Sequence, residues 1–285
     1  MSKDFHRLRY TLLVLLYLPL TGYCQPIQLQ NYQTSRLAGG ITLFHLNADS
    51  LLGIKQNIFI SEFRQQKHSG YKFGIAYSDS LLKGTSRFGK ENKALVALNG
   101  SFFDVEKGGS VAYLESEGKI VARNRKVGDK WAKTDSLLNG AIVIQKNGRM
   151  RIEIARPGKH YEDSKKEKTV LVSGPILLVN GRSLPLENSE FVKKRHPRSC
   201  LCKTKEDRLL FIAIDGRSEI ASGMNLKELQ HFLIRLNCRN AINLDGGGST
   251  TLWANDGAAT RIVNNPSDKE GERPVANILM IKKEE

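Results

Sequence analysis

Short runs of apolar residues separated by polar turns dominate the pattern along this chain. Such runs, ended by Gly, Asn, Asp or Pro, are typical of β-strands. They predict strands at residues 41–47, 51–60, 71–77, 93–98, 140–145, 170–179, 208–214 and 274–281. Asn147-Gly148 and Asn180-Gly181 follow two of these runs and are hairpin signals.

Only one segment has the clear spacing of an amphipathic helix. Its apolar stripe consists of Leu226, Leu229, Phe232, Leu233 and Leu236. Asn225 is a suitable N-cap, and Glu228 lies three residues later, where a capping box places an acid. We therefore predict a helix that begins after Asn225 and ends near Asn237. A weaker helical pattern covers residues 80–92.

Many strands and few helices predict an α+β fold. We expect a single domain with a mixed, mainly antiparallel twisted sheet core flanked by a few helices. The charged stretches 106–135 and 156–168 contain few apolar residues, and we predict both as surface loops, with a disordered tip at residues 160–168. No internal repeat or low-complexity tract divides the chain.

The N-terminus has the pattern of a secretory signal. Lys3, Arg7 and Arg9 precede the apolar run 10–20, which is too short to span a bilayer. Small residues at Gly22 and Cys24 predict cleavage after residue 24. We predict a signal peptide at residues 1–24 and a catalytic domain at 25–285, secreted or periplasmic, with no stable membrane span. Lipid anchoring through Cys24 and an uncleaved anchor are the alternatives.

Composition and charge narrow the class of protein. Of 285 residues, 40% are hydrophobic, which rules out a disordered or multi-span membrane chain. Lys and Arg number 44 against 29 Asp and Glu, for a formal net charge of +15. The predicted signal accounts for only a net two of these charges. The excess of basic residues therefore lies in the exported domain. It indicates an anionic partner, or else a general basic bias of composition with no specific partner.

Three cysteines remain after the predicted cleavage. Cys200 and Cys202 form a C-x-C on a predicted strand, and we expect their side chains on opposite faces of it. We expect buried thiols or one disulfide with Cys238. A metal site is disfavoured because no further ligands lie nearby at suitable spacing.

The densest polar cluster follows a short predicted strand. It runs Asn-Leu-Asp245-Gly246-Gly247-Gly248-Ser249-Thr. Three glycines let the backbone approach a ligand closely, and their N–H groups can form an anion-binding nest. The run is not a P-loop, because the Gly-Lys-Ser/Thr of that motif is missing. A sharp turn with a flexible tip is the alternative, but an acid before three glycines and two hydroxyls favours a functional site.

Further polar residues lie at the ends of predicted strands. His196 and Arg198 precede one strand, and Asp215 and Arg217 follow the next. Arginine offers forked donors that suit phosphate oxygens. A solvated basic edge is the alternative for each arginine alone. Asn99 ends another predicted strand, where it can bind a ligand or only cap the turn.

Taken together and in order, these segments resemble the phosphodiester glycosidase family, the bacterial relatives of the lysosomal uncovering enzyme, N-acetylglucosamine-1-phosphodiester α-N-acetylglucosaminidase. The resemblance rests on ALVALNGSFFD (94–104), SGPILLVNG (173–181), HPRS (196–199), FIAIDGRSEIASGMNLKEL (211–229), NAINLDGGGSTTLW (240–253) and VNNPSDKEGERPVAN (263–277). The motif core spans residues 94–281. Departures are Cys200 and Cys202, where relatives usually carry a small residue and a glycine, and Ser101, where glycine is common.

The resemblance implies an α+β catalytic domain that cleaves a sugar-1-phosphodiester between the anomeric carbon and the phosphate. It implies site residues at Asn99, Arg198, Asp215, Asp245, Gly246, Gly247 and Gly248. With less weight it adds Arg217, Ser249, Asn264, Ser267, Asp268 and Arg273. His196 and Glu228 are accessory candidates, and Glu228 is interpreted as a helix cap or as the partner of an arginine.

The expected chemistry assigns roles to these residues. Cleavage develops positive charge on the sugar and negative charge on the leaving phosphate, which Arg198 and Arg217 can stabilise. A carboxylate assists at the anomeric carbon as nucleophile or by activating water, with Asp245 the first choice and Asp215 the second. We expect no cofactor and no metal ligands, and keep a divalent cation as an alternative.

We expect the partner to be a sugar-1-phosphodiester, similar to a GlcNAc-1-phosphodiester, or a phosphate-containing glycan of exopolysaccharide or envelope metabolism. One alternative is a metal-dependent phosphodiesterase with Asp215, Asp245 and Asp268 around a cation. Another is a non-catalytic module that binds anionic polysaccharide. A nucleic-acid partner is disfavoured because the chain has an export signal and no RNA-binding signature.

Overall fold

The structure is a computed structural model that describes residues 26–47, 53–64, 70–164 and 166–284. The predicted signal peptide and Cys24 lie outside these residues. In chain order the strands are β1 (Gln33–Arg36), β2 (Thr42–Asn47), β3 (Asn57–Arg64), β4 (Tyr71–Tyr77), β5 (Ala94–Asn99), β6 (Leu114–Ser116), β7 (Lys119–Ala122), β8 (Gly140–Gln145), β9 (Met150–Ile154), β10 (Glu167–Ser173), β11 (Ile176–Val179), β12 (Arg182–Ser183), β13 (Arg198–Thr204), β14 (Arg208–Ile214), β15 (Cys238–Asn243), β16 (Leu252–Asn255), β17 (Thr260–Ile262) and β18 (Asn277–Lys283). The helices are α1 (Thr85–Glu91), α2 (Gly158–Asp163), α3 (Glu190–Lys193) and α4 (Leu226–Arg235).

The strands form three sheets, and every strand pairing in the described residues is antiparallel. The largest has the order β1-β2-β3-β14-β13-β15-β11-β12. The second has the order β7-β6-β10-β8-β9, and the third β17-β16-β5-β18-β4. The predicted α+β class with a mainly antiparallel sheet and few helices is confirmed. The structure adds that the strands are divided among three sheets.

One apolar core joins the three sheets. Phe211 on β14, Leu98 on β5 and Ile142 on β8 belong to the same buried cluster, so each sheet contributes one face to it. The second large cluster lies on the opposite face of the largest sheet, beneath α4. No helix in the described part of the chain has the length and apolar character needed to cross a bilayer.

Helix α4 follows the sequence closely. The Asn225 side chain accepts a hydrogen bond from the Glu228 amide at 2.9 Å, and the Glu228 carboxylate accepts one from the Asn225 amide at 2.9 Å. This is the predicted capping box. The apolar stripe that includes Leu229 and Phe232 is buried. The weaker helical pattern at residues 80–92 is confirmed as the shorter helix α1.

Two predicted strands differ from the observed ones. The run 170–179 is not one strand, because β10 ends at Ser173 in one sheet and β11 begins at Ile176 in another. Pro175 lies in the break, where the missing amide cannot join a ladder. Of the run 51–60 the structure describes residues 53–60, and in these the strand begins at Asn57 and continues to Arg64.

The two charged stretches are more ordered than predicted. The stretch 106–135 contains β6 and β7, and Val111 and Tyr113 in it are buried. The prediction of a plain surface loop is therefore wrong there, because a short apolar segment inside it pairs with β10. The stretch 156–168 contains α2, which buries Tyr161, and its last residues begin β10. The predicted disordered tip is thus a helix followed by a strand, with only Lys165 outside the described residues.

A disulfide joins Cys202 on β13 to Cys238 on β15. It is one of the two expected alternatives for these cysteines. Cys200 is a free buried thiol whose pKa is raised by burial. The prediction that Cys200 and Cys202 point to opposite faces is wrong. Residues two apart on a strand share a face, and both side chains pack in the cluster beneath α4.

Candidate active site

The candidate site lies where the ends of strands from two sheets meet. Strands β14 and β15 end, and β13 begins, at one edge of the largest sheet. The chain leaving β15 forms the glycine loop, residues 245–250, and then enters β16 of the third sheet. In that sheet β5 ends at Asn99 and packs against the same loop. The predicted site residues from distant parts of the sequence are thus brought together around the glycine loop.

Hydrogen bonds hold the backbone of Asp245 in place, and its carboxylate takes no part in them. Its amide donates to the Gly100 carbonyl at 3.0 Å, and its carbonyl accepts from Asn99 Nδ2 at 2.6 Å. Burial raises the pKa of the carboxyl group, while the Ser249 hydroxyl, Lys133 and Arg273 act in the opposite direction. The residue remains partly exposed. A carboxylate with this placement can act on a bound substrate.

The three glycines are required by what surrounds them. Gly247 adopts φ +63°, and a side chain there would meet the Arg217 guanidinium. A side chain on Gly248 would collide with the carboxylate of Asp268 and the guanidinium of Arg273. The loop therefore lets two arginines and an aspartate approach the backbone beside Asp245.

The loop does not form the expected row of free amides. The Gly247 amide donates to the Pro197 carbonyl at 2.9 Å, and the amides of Ser249 and Thr250 donate to carbonyls within the loop. A backbone nest needs successive N–H groups that point at the ligand. The prediction of an anion-binding nest is therefore not supported, and side-chain cations supply the positive charge instead.

Arg198 is a buried cation, only 1% exposed. Its guanidinium donates to the carbonyls of Met224, Phe191 and Lys194 at 2.8–3.0 Å and lies over the Phe191 ring. Burial, reinforced by nearby Arg217, lowers its pKa to about 10. No carboxylate in the described residues forms an ion pair with it, so its positive charge has no counter-ion from the protein. Such a fixed charge favours an anionic ligand.

Arg217 is exposed beside the glycine loop. Its Nη2 lies 3.2 Å from Nδ1 of His196. Burial and the charges of Arg198 and Arg217 lower the pKa of His196, which favours a neutral ring that accepts from the arginine. Within the described part of the chain Arg217 forms no ion pair either. His196 thus orients a cation that is available to a ligand.

Asp215 is enclosed by amide donors. Its carboxylate accepts from Asn57 Nδ2 at 2.6 Å, from Asn264 Nδ2 at 3.0 Å, and from both the side chain and the backbone of Asn265. The residue is 2% exposed. Burial raises its pKa, and these hydrogen bonds oppose that shift. With its oxygens occupied, Asp215 is better placed to fix the loop that holds Asn264 than to attack a substrate.

Two of the predicted binding asparagines also act as clamps. Asn99 Oδ1 accepts from the Ser199 hydroxyl at 2.5 Å and from the Thr251 amide at 3.1 Å. Asn264 Oδ1 accepts from the Leu252 amide at 2.7 Å, and its Nδ2 also donates to the Thr250 carbonyl at 3.0 Å. Both amides are therefore committed to the backbone on either side of the glycine loop.

The remaining predicted residues line the loop on its other side. Asp268 and Arg273 form a two-point ion pair at 2.8 and 3.1 Å. The hydroxyl oxygen of Ser267 is buried and has no hydrogen-bond partner in the described residues, whereas the Ser249 hydroxyl faces the Asp245 carboxyl group and favours its ionised form. An unsatisfied buried hydroxyl such as that of Ser267 is a group that a sugar hydroxyl can pair with.

Lys133 belongs to the site and was missed from the sequence. Its Nζ lies 5.2 Å above the Phe102 ring, and its charge favours the ionised form of Asp245. It comes from the charged stretch 106–135, where nothing in one sequence separates it from the other lysines. Phe102 in turn makes an edge contact with Phe191, and the Arg198 guanidinium lies over the Phe191 ring. These ring contacts connect Lys133 to Arg198.

Glu228 lies apart from the reacting groups. Its carboxylate binds Arg195 and caps α4 through the Asn225 amide. The interpretation as a cap and an arginine partner is confirmed.

The described residues contain no cluster of three or more His, Cys, Asp or Glu side chains suited to a metal ion. Asp215 is saturated by amides and Asp268 is paired with Arg273. Asp215, Asp245 and Asp268 therefore do not present the shared set of free oxygens that a divalent cation needs.

Comparisons with known proteins show the family of the chain. The sequence model of the phosphodiester glycosidase family matches residues 92–282. N-acetylglucosamine-1-phosphodiester alpha-N-acetylglucosaminidase of Bos taurus is 28% identical over 175 residues, which cover 56% of this chain and 31% of that protein. The enzyme of the same name from Homo sapiens is 27% identical over 56% of this chain and 32% of its own. The chain thus spans about a third of the length of these relatives.

Solved structures with a similar fold extend over most of the chain. The zebrafish N-acetylglucosamine-1-phosphodiester alpha-N-acetylglucosaminidase catalytic domain, auto-inhibited by its pro-peptide, has a TM-score of 0.64 at 22% identity and covers 92% of each chain. A hypothetical protein from Synechocystis has a TM-score of 0.62 at 13% identity, over 89% of this chain and 64% of that one. At such identities the likeness concerns the fold.

Proposed function

Because the chain belongs to the phosphodiester glycosidase family, we propose that it hydrolyses the bond between the anomeric carbon and the phosphate of a sugar-1-phosphodiester. The observation that carries the proposal is the placement of Asp245. Its backbone is clamped between two sheets, while its carboxylate, with a raised pKa, is flanked by Lys133 and Arg273.

The positively charged side chains of the site match the negative charge that the leaving phosphate gains. A departing phosphate monoester needs little proton donation but gains negative charge as the bond breaks. Arg217 and Lys133 have no acidic partner in the described residues, so each can bind a phosphate oxygen. Arg198 adds a fixed buried charge behind them. Together these residues stabilise the leaving group more in the transition state than in the bound substrate.

Asp245 then acts at the sugar. As positive charge develops at the anomeric carbon, an ionised carboxylate stabilises it, either by direct attack or by taking a proton from water. Asp215 remains a positioning residue in this mechanism, because amide donors occupy its oxygens. The buried hydroxyl of Ser267 is available to bind a hydroxyl of the sugar, and the Ser249 hydroxyl favours the ionised form of Asp245.

The names of the relatives suggest N-acetylglucosamine as the sugar. We propose a substrate of the GlcNAc-1-phosphodiester kind, met outside the cytoplasm in exopolysaccharide or envelope glycan metabolism. The signal pattern of residues 1–24 supports export to the periplasm or the medium, with a lipid anchor at Cys24 as the alternative.

A panel of sugar-1-phosphodiesters tests the proposal. The purified protein is incubated with each compound, with and without a chelator, and free sugar is measured. We expect release from at least one compound in both conditions, loss of release in Asp245→Asn, and normal release in Asp79→Asn, an exposed aspartate outside the site. Chelator sensitivity with sugar-1-phosphate as product would favour a metal-dependent phosphodiesterase. Binding of the compounds without any product would favour a non-catalytic module.

A further inference from the structure

A second concave surface lies away from the candidate site. It is a cavity of about 990 Å³ lined by the β4, β8–β9 and β18 regions. We call it the basic groove, and it is defined by six basic side chains, Lys72, Lys146, Arg149, Lys168, Lys203 and Lys282. Three acidic residues, Glu117, Asp207 and Glu284, also line it, so positive charge is in excess.

Among the residues that the structure describes, four of the six cations have no carboxylate partner. Lys168 pairs with Glu117 at 3.1 Å, and Lys203 pairs with Asp207 at 2.7 Å. In contrast, no ion pair within the described ranges involves the four others, Lys72, Lys146, Arg149 and Lys282. Unpaired like charges that line one concavity repel each other, and an anionic ligand removes that repulsion.

The strands place the basic groove at the opposite end of the core from the candidate site. Strand β13 has Arg198 at its site end and Lys203 toward the groove. Strand β18 likewise begins at Asn277, which binds the Ser101 amide near the glycine loop, and reaches the groove at Lys282. On each strand the two residues are five positions apart, which corresponds to about 17 Å at the usual rise per residue. A ligand in the basic groove is therefore held at a distance from Asp245.

The chemistry of the lining indicates the class of ligand. Five of the six cations are lysines, compact point charges on flexible stems that tolerate varied spacing of anionic groups. Phe73 and Met150, which belong to one buried cluster, supply an apolar floor, and Met280 of a second cluster also lines the groove. A volume of about 990 Å³ is at the top of the range for one small ligand, so it suits several linked units.

We propose that the basic groove binds an acidic polysaccharide, separately from the candidate active site. A bilayer surface is flat and does not fit a concavity of this size. Single-stranded nucleic acid is bound largely by successive exposed aromatic rings, whereas of the two aromatic residues in this lining Phe73 is buried and Tyr71 is only partly exposed. An anionic glycan needs only spaced cations and a floor on which sugar rings can lie. The groove then tethers the protein to a polymer while the active site remains open.

Two variants with equal loss of charge test this proposal. The groove variant carries Lys72→Gln, Lys146→Gln, Arg149→Gln and Lys282→Gln. The matched control carries Lys55→Gln, Lys90→Gln, Lys227→Gln and Arg261→Gln, four exposed cations outside the groove. Both lose three lysines and one arginine, so any difference reports position and not net charge. Thermal unfolding confirms that each variant is folded.

Binding to polygalacturonate is measured by affinity electrophoresis, with neutral dextran as the uncharged polymer. We expect the wild type and the matched control to bind polygalacturonate and not dextran, and the groove variant to bind at least about tenfold more weakly. Asp245→Asn is expected to bind like the wild type, and the groove variant to hydrolyse a small sugar-1-phosphodiester at the wild-type rate. These two results separate the groove from the proposed catalytic function.

Three outcomes would overturn the proposal. Equal loss in both quadruple variants would show that diffuse charge, and not the basic groove, holds the polymer. If the wild type does not bind polygalacturonate, an acidic polysaccharide is not the ligand of the basic groove. Tighter binding of single-stranded DNA or of phosphatidylglycerol vesicles, lost only in the groove variant, would assign the groove to a different partner.

Discussion

Asn99 donates from Nδ2 to the backbone carbonyl of Asp245 at 2.6 Å, across 146 residues of sequence. The same side chain accepts from Ser199 and from the Thr251 amide, so one buried amide ties together the two sheets that meet at the site. The carboxylate of Asp245 is thereby aimed by groups that do not touch it.

This relationship predicts a specific defect for Asn99→Ala. The Asp245 carbonyl and the Thr251 amide lose their partner, and the glycine loop moves. A shift of about 1 Å at a catalytic group lowers kcat by roughly 100-fold, while stability falls by about 1–3 kcal/mol. Asn92→Ala is the matched control, because Asn92 also donates to a backbone carbonyl but lies in α1's C-cap. We expect it to lose stability alone. Equal kcat losses in both variants would argue against a positioning role.

Asp245→Asn is expected to stabilise the fold while it removes activity. Burial raises the carboxyl pKa in the folded state, so the folded protein holds this proton more tightly than the unfolded chain. Stability contributed by the group therefore falls as pH rises from the ordinary value through the raised one, and ionisation is a net cost at neutral pH. We expect a melting temperature about 2–4 °C higher at pH 7, where the substitution removes that cost.

Measurements at two pH values check the linkage in Asp245→Asn. The gain in melting temperature should shrink toward acidic pH, where the wild-type group is protonated as well. Activity should fall by roughly 1,000-fold. A variant less stable than wild type at pH 7 would contradict the environment assigned to Asp245.

Asp215→Asn is expected to behave in the opposite way. The carboxylate accepts from Asn57, Asn264 and Asn265, and an amide would present hydrogens to some of these donors. We expect a loss of about 1–3 kcal/mol in the free energy of unfolding, despite the raised pKa of the native group. Urea unfolding provides the measurement. A fully stable but inactive Asp215→Asn would show that Asp215 is a catalytic group after all.

Lys133→Gln should shift the pH profile. The lysine charge favours the ionised form of Asp245, so its removal raises the pKa of that carboxyl further. The acidic limb of kcat/KM, which rises as Asp245 ionises, should move to higher pH, and KM for the phosphodiester should increase several-fold. Lys133→Arg should restore the limb. Lys130→Gln, an exposed lysine paired with Glu106, should leave it unchanged. If the acidic limb of kcat/KM stays at the same pH in Lys133→Gln, this lysine does not affect the ionisation of Asp245.

The sequence was sufficient where local pattern decides structure. The capping box at Asn225 and Glu228 and the run from Asp245 to Ser249 carry their signals within a few residues. The break of the run 170–179 at Pro175 was also visible and was missed, because the apolar pattern continues on both sides. The amide cage of Asp215 has no local signal, since Asn57 and Asn264 reach it from 158 and 49 residues away.

Lys133 shows why the site could be predicted only in part. Its placement depends on Phe102 and on the fold of a charged stretch that carries no motif. The glycine loop is singled out by its sequence, but the hydrogen bond from the Gly247 amide to the Pro197 carbonyl depends on a distant part of the chain and could not be derived from the glycines themselves. Residues that act through tertiary contacts therefore needed the structure.

In the proposed activity, the protein breaks the bond between sugar and phosphate at the anomeric carbon. Hydrolysis of a sugar-1-phosphodiester in ¹⁸O-labelled water, followed by mass spectrometry of both products, tests it directly. We expect ¹⁸O in the free sugar and an unlabelled phosphomonoester, with no product from Asp245→Asn. Release of sugar-1-phosphate, with ¹⁸O on a phosphate or on the second product, would contradict it.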